Sequence, residues 1–123
     1  MIDIQRAKEQ KMEINTRVEN DVLIIKIDGR LDAANAPVAE KEINTALEGD
    51  QNRLIFDLSG LEYLSSGGLR VILGAAKEIR RREGKVALAS LKEYVHEIFE
   101  VSGFTAMIPI KESIEEGLKE VSS

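Results

Sequence analysis

Apolar and polar positions along this chain switch between two periods, about two and about 3.6 residues, and the switches fall at turn-forming residues. From Glu13, the residues Ile14, Thr16 and Val18 alternate with polar neighbours, Asn20-Asp21 supplies turn chemistry, and Val22 to Ile27 is a second β-rich run. This predicts an antiparallel hairpin that ends at Gly29. Asn35 and Pro37 then make a helix start, with Ala36, Ala39, Ile43, Ala46 and Leu47 on one stripe and Gly49 as the stop. The run from Arg53 to Leu58 has adjacent apolar residues, as in a strand covered on both faces, and is expected at the sheet centre. Asp57 to Gly68 reads as a loop leading into a helix over 67–83, whose core stripe would be Leu69, Ile72, Leu73, Ala76 and Ile79.

Lys85 to Ala89 reads as another strand, followed by a helix burying Tyr94, Val95, Ile98 and Phe99 and closed by Gly103. A short strand is expected within Phe104 to Ile110, where Pro109 argues for an end or an edge. Ser113 and Glu116 stand at capping-box spacing before a last helix through Leu118 and Val121. The expected order is ββαβαβαβα. Strands alternating with helices after a hairpin give the α/β class: a mixed, mostly parallel sheet with an antiparallel N-terminal hairpin and about four flanking helices. Residues 1–11 lack a clear pattern and are set apart as an extension, leaving one domain over residues 12–123.

Composition narrows the function classes. A net charge of -5 argues against direct nucleic-acid binding and against anionic membrane surfaces. The absence of cysteine removes disulfides, thiol chemistry and Cys-zinc sites. No stretch has the length of a signal-peptide core or a membrane span, so a cytoplasmic location is expected. Arg80-Arg81-Arg82 reads as last-turn cations complementing a helix C-terminus.

The candidate chemistry gathers in Leu64-Ser65-Ser66-Gly67-Gly68. This order lacks the first glycine of a nucleophile elbow, and the single histidine, His96, sits on a later helix, so no hydrolase triad is assembled. There is no phosphate-binding loop with its lysine, and Asp28 and Asp32 do not make a metal shell. No enzyme, cofactor or metal is expected. Serine at a helix start is foremost an N-cap. Two glycines in a first turn are poor helix formers, however, and bare backbone lets a partner or a phosphate approach. Ser66 thus reads as a phosphate-accepting serine over the free amides of a helix N-terminus, with Ser65, Gly67 and Gly68 around it and Arg70 one turn on. Val71, Gly74, Ala75 and Glu78 form a small-residue face on the same helix, suited either to close packing on a neighbouring helix or to a docking partner.

The stretch DLSGLEYLSSGGLRVIL, with GRLDAANAP before it and VSGFTAMIPI after it, resembles the anti-sigma factor antagonists, the small STAS proteins of bacterial partner-switching systems. The resemblance covers about residues 12–121 in element order. It implies that Ser66 is the phosphoacceptor and that Asp32 lies in a loop contacting the partner kinase. Ser65 stands where many members have aspartate, and Gly67 where serine, threonine or alanine is common. The implied cycle has the unphosphorylated protein bind a serine-kinase anti-sigma factor, which frees its sigma factor. Phosphorylation of Ser66 ends the complex and a PP2C-type phosphatase resets it. The alternative is a STAS-type module that senses a ligand or anion and regulates a target other than a sigma factor.

Overall fold

The computed structural model describes residues 12–122, so the extension expected at residues 1–11 lies outside the described residues. Strand β1 (Glu13–Glu19) turns at Asn20 and Asp21, both with left-handed φ, into β2 (Val22–Leu31). Helix α1 (Ala36–Ala46) follows, then β3 (Arg53–Asp57), β4 (Leu61–Leu64) and α2 (Ser66–Arg81). The chain continues through β5 (Lys85–Ala89), α3 (Glu93–Val101), a 3-10 turn (Phe104–Ala106), β6 (Ile110–Lys111) and α4 (Ile114–Ser122). These strands form one six-stranded mixed sheet in the order β1-β2-β3-β5-β6, with β4 added on β2. Only the β1/β2 pair is antiparallel.

β3 is central, and its Leu54, Ile55 and Phe56 are all fully buried, as the unbroken apolar run implied. Its two faces belong to two cores. Leu54 and Phe56 join the larger one, with Ile43 of α1, Ile72 and Ile79 of α2, and Phe99 of α3. Ile55 joins Val22, Ile24, Ala87 and Ala89 under Val121 of α4. Helices α1, α2 and α3 therefore cover one face of the sheet and α4 the other.

The antiparallel ladder of the hairpin ends at Asp28, immediately before Gly29 as expected, but β2 itself does not stop: Gly29 takes φ 88°, the register shifts there, and the strand runs on to Leu31. Beyond that bulge β2 leaves β3 and pairs with β4, a strand that the sequence reading left inside a loop. Gly29 is needed because a left-handed φ inside a strand is strained for any residue with a Cβ. Its amide donates to the Gly60 carbonyl at 2.8 Å, which closes the turn before β4.

Smaller corrections concern the helices. In α2 the buried stripe is Val71, Ile72, Ala75, Ala76 and Ile79, while Leu69 and Leu73 are only partly covered. The small-residue face is thus used for packing at Val71 and Ala75, beside α1. Tyr94, expected in the core, is 40% exposed, whereas Val95 and Phe99 of the same helix are sealed. Gly103 takes the expected left-handed conformation, with φ 81°. β6 lies at the very end of its expected range, directly after Pro109, and is an edge strand. Ser113 Oγ accepts from the Glu116 amide at 3.1 Å, so the serine half of the expected capping box is present.

Arg80 and Arg81 stand in the last turn of α2 as expected, while Arg82 has a further role. Arg82 does not cap its own helix with its side chain but reaches across to the end of α1, donating to the carbonyls of Leu47, Gly49 and Gln51 at 2.6, 3.1 and 2.8 Å. Glu78 orients it at 2.9 Å and also binds Arg81 at 2.7 Å. The hydrogen bonds from Arg81, and then from Arg82, hold the Glu78 carboxyl down at about 2. This clamp joins the C-terminal ends of α1 and α2.

Candidate functional site

The site is built where β2 and β4, side by side and parallel, both end and each feeds a helix. After β2 the chain turns through Asp32 to Asn35. Asp32 Oδ1 accepts from the Asn35 amide and Asn35 Oδ1 from the Asp32 amide, each at 2.9 Å. Asn35 Nδ2 also donates to the Arg30 carbonyl at 2.8 Å. Asp32 is therefore first a turn-forming residue, partly buried, with one carboxylate oxygen committed. After β4 the chain enters α2 through Ser65, whose amide donates to the Leu31 carbonyl at 2.9 Å. That bond ties the two helix entries together.

The adjacent serines have different environments. Ser65 is the N-cap, in extended conformation with φ -85° and ψ 169°, and its Oγ accepts from the Gly68 amide at 3.1 Å. Ser66 is the first helical residue and is exposed. Four amides open a helix without intrahelical partners. Here Leu31 takes that of Ser65 and Ser65 Oγ takes that of Gly68, while those of Ser66 and Gly67 have no acceptor among the described residues. Ser66 therefore stands at the positive end of α2, where two backbone N–H groups, its own and that of Gly67, have no acceptor among the described residues.

The two glycines also part company. A Cβ on Gly68 would lie 2.5 Å from Leu31 Cγ and 2.9 Å from the Leu31 carbonyl oxygen, so this glycine is demanded by the close approach of α2 to β2. It is buried, so its evident role in the structure is packing. At Gly67 the nearest atoms are Ala33 Cα at 3.7 Å, Ser65 Oγ at 3.7 Å and Ala36 Cβ at 3.8 Å, which is ordinary contact distance. The Ala33–Ala36 turn thus borders Gly67, and the Asp32 turn stands beside the Ser66 surface.

Further along α2, Arg70 and Gly74 are exposed, and a Cβ on Gly74 would meet nothing within 4 Å. Ser66, Arg70 and Gly74 share one open depression with Leu69, Leu73, Lys77 and Phe104. The last four were not singled out from sequence as surface residues. Leu69 and Leu73 looked like core, and only the spacing of Lys77, seven residues after Arg70, marked it as a neighbour on the same face. On the β4 side, Arg30 stacks over the exposed Tyr63 ring at 4.2 Å.

His96 is half-buried on α3, 3.9 Å from Glu100, and stands on a different element from Ser66. Among the described residues no group of three His, Cys, Asp or Glu side chains could hold a metal ion, and no helix is long and apolar enough to cross a membrane.

Comparison with known proteins agrees with this architecture. The STAS domain family model matches residues 13–117. BtrV of Bordetella bronchiseptica is 39% identical over 94 residues, covering 76% of this chain and 81% of its own length. The anti-sigma-B factor antagonist of Bacillus subtilis is 32% identical over 112 residues, covering 88% of this chain and all of its own. The crystal structure of an anti-sigma factor antagonist from Mycobacterium paratuberculosis superposes with a TM-score of 0.85 at 18% identity, over 93% of this chain and 97% of that one. The mixed sheet, the four helices and the extent of these matches agree, and the chain belongs to the STAS domain family, among the anti-sigma factor antagonists.

Proposed function

We propose that the unphosphorylated protein binds an anti-sigma factor of the serine-kinase type through the surface centred on Ser66, and that the bound factor releases its sigma factor. Transfer of phosphate from ATP to Ser66 ends the complex, and a PP2C-type phosphatase restores it. The kinase supplies the catalysis; this chain supplies the acceptor hydroxyl. The observation that carries the reading is that Ser66 is exposed at the first position of α2, where its own amide and that of Gly67 have no acceptor among the described residues, beside the partly buried N-cap Ser65. The name of the Bacillus subtilis relative supports the choice of partner.

The physics gives the switch its direction. A phosphate adds about -1.5 to -2 charges at pH 7, which the free amides, the helix N-terminus and Arg70 can hold while the protein is alone. Sealing the same charge under a partner without a matching cation costs several kcal/mol. A loss of about 3–4 kcal/mol corresponds to two to three decades in affinity.

Incubation with ATP and the cognate anti-sigma factor kinase, followed by mass mapping, tests the reading. One phosphate on Ser66 and none on Ser65 is expected. Ser66→Ala should stay bound in the presence of ATP, and Ser66→Asp should bind about two to three decades more weakly. Equal affinities of the two variants would overturn the mechanism. Uptake of inorganic phosphate or nucleotide without any kinase would favour the anion-sensing alternative.

A further inference from the structure

The depression that runs from Ser66 along α2 has a definite chemistry. Its floor is Leu69, Leu73 and Phe104, all only partly covered although they border the larger core. Its charged members are Arg70 and Lys77, both exposed, and no acidic residue lines it. Neither cation makes an ion pair with a described residue. Two unpaired cations flanking apolar side chains form a local positive strip on a chain whose net charge is -5. Gly74 between them leaves the backbone open to close approach. The hollow on the other flank of α2, against α1, is lined by Glu40, Glu48 and Glu78 with Arg82, and it would repel the same ligand.

We propose that this depression seats an amphipathic helix of the anti-sigma factor, whose apolar side chains rest on Leu69, Leu73 and Phe104 and whose two carboxylates meet Arg70 and Lys77. The inference rests on the function proposed above and adds the chemistry of the partner. Arg70 and Lys77 are seven residues apart, two helical turns or about 10.5 Å, so carboxylates at positions i and i+7 of a packed helix match them. The arrangement also gives Arg70 a second use. A phosphate on Ser66, four residues earlier on the same helix, competes for the Arg70 guanidinium. Modification therefore adds an anion to the interface and withdraws a cation from the partner in one step.

The test is the dissociation constant of the full-length unphosphorylated protein with its cognate kinase, measured by calorimetry across a salt series. Arg70→Glu combined with Lys77→Glu should raise Kd by about tenfold or more and flatten its salt dependence. Arg70→Gln with Lys77→Gln should act in the same direction more mildly. Arg80→Glu, exposed on the same helix but outside the depression, should stay within about twofold of wild type. Gly74→Leu should weaken binding with no fall in Tm, because its side chain enters open space on the free protein. If double reversal leaves Kd and salt dependence unchanged while Ser66→Asp still releases the partner, the seat lies elsewhere and the proposed function stands. If Ser66→Asp also binds as tightly as Ser66→Ala, the proposed function falls with it.

Discussion

Ser65 and Ser66 are chemically identical, and one position along the chain separates their work. Ser65 Oγ caps the Gly68 amide, so Ser65→Ala should lower stability by about 1 kcal/mol in urea titration, while Ser66→Ala should leave it unchanged within error. The glycines divide in the same way. A methyl group on Gly68 would press on a backbone oxygen that cannot rotate aside, so Gly68→Ala should destabilise the fold by about 1–3 kcal/mol. Gly74→Ala, pointing into open space in mid-helix, should stabilise it by about 0.5–1 kcal/mol. Reversed signs in thermal melts would mean that α2 enters the sheet differently. The sequence showed that this quartet was unusual, because two glycines at a helix start call for a reason. It could not show that one glycine serves packing and the other does not, since that depends on Leu31, more than thirty residues away.

At the scale of elements, the clamp between α1 and α2 makes a pH prediction. Glu78 is held at about 2, against an ordinary value of 4.5, first by Arg81 and then by Arg82. A carboxylate whose pKa falls on folding leaves the unfolded chain with more bound protons between those values, so stability declines as pH drops through that window. The contribution is complete above about 4.5 and gone below about 2. Glu78→Gln should therefore melt lower than wild type at neutral pH, and the two Tm curves should converge as pH falls towards the lower limit. Parallel curves would show that Glu78 is not the group responsible. Elements with long, regular patterns, such as β3 and the first hairpin, were legible from sequence. β4 was not, because its four residues Leu61–Leu64 do not alternate and are held by a remote strand beyond a bulge. On α2 the apolar residues from Leu69 to Ile79 cover more than one flank, so periodicity could find the helix but not which edge of the stripe faces inward. Leu69 and Leu73, which that ambiguity assigned to the core, are the residues that floor the depression beside Ser66.

For the molecule as a whole, the effect of phosphorylation is expected on affinity and not on shape. Ser66 lies outside both cores and its hydroxyl makes no hydrogen bond among the described residues that a phosphate would break, since the cap belongs to Ser65. The family assignment was legible because the motif around Ser66 is local in sequence; the depression beside it was not, because it joins Phe104 to α2 across the fold. The Arg82 clasp at the far ends of α1 and α2 has its counterpart in the Ser65–Leu31 bond at their near ends. With both extremities fastened, the two helices are expected to keep their mutual placement if Ser66 is phosphorylated. Under the function proposed above, a kinase meeting this surface would then have no rearrangement to wait for, and a phosphatase would reverse the signal as fast as it removes the ester, with no refolding delay.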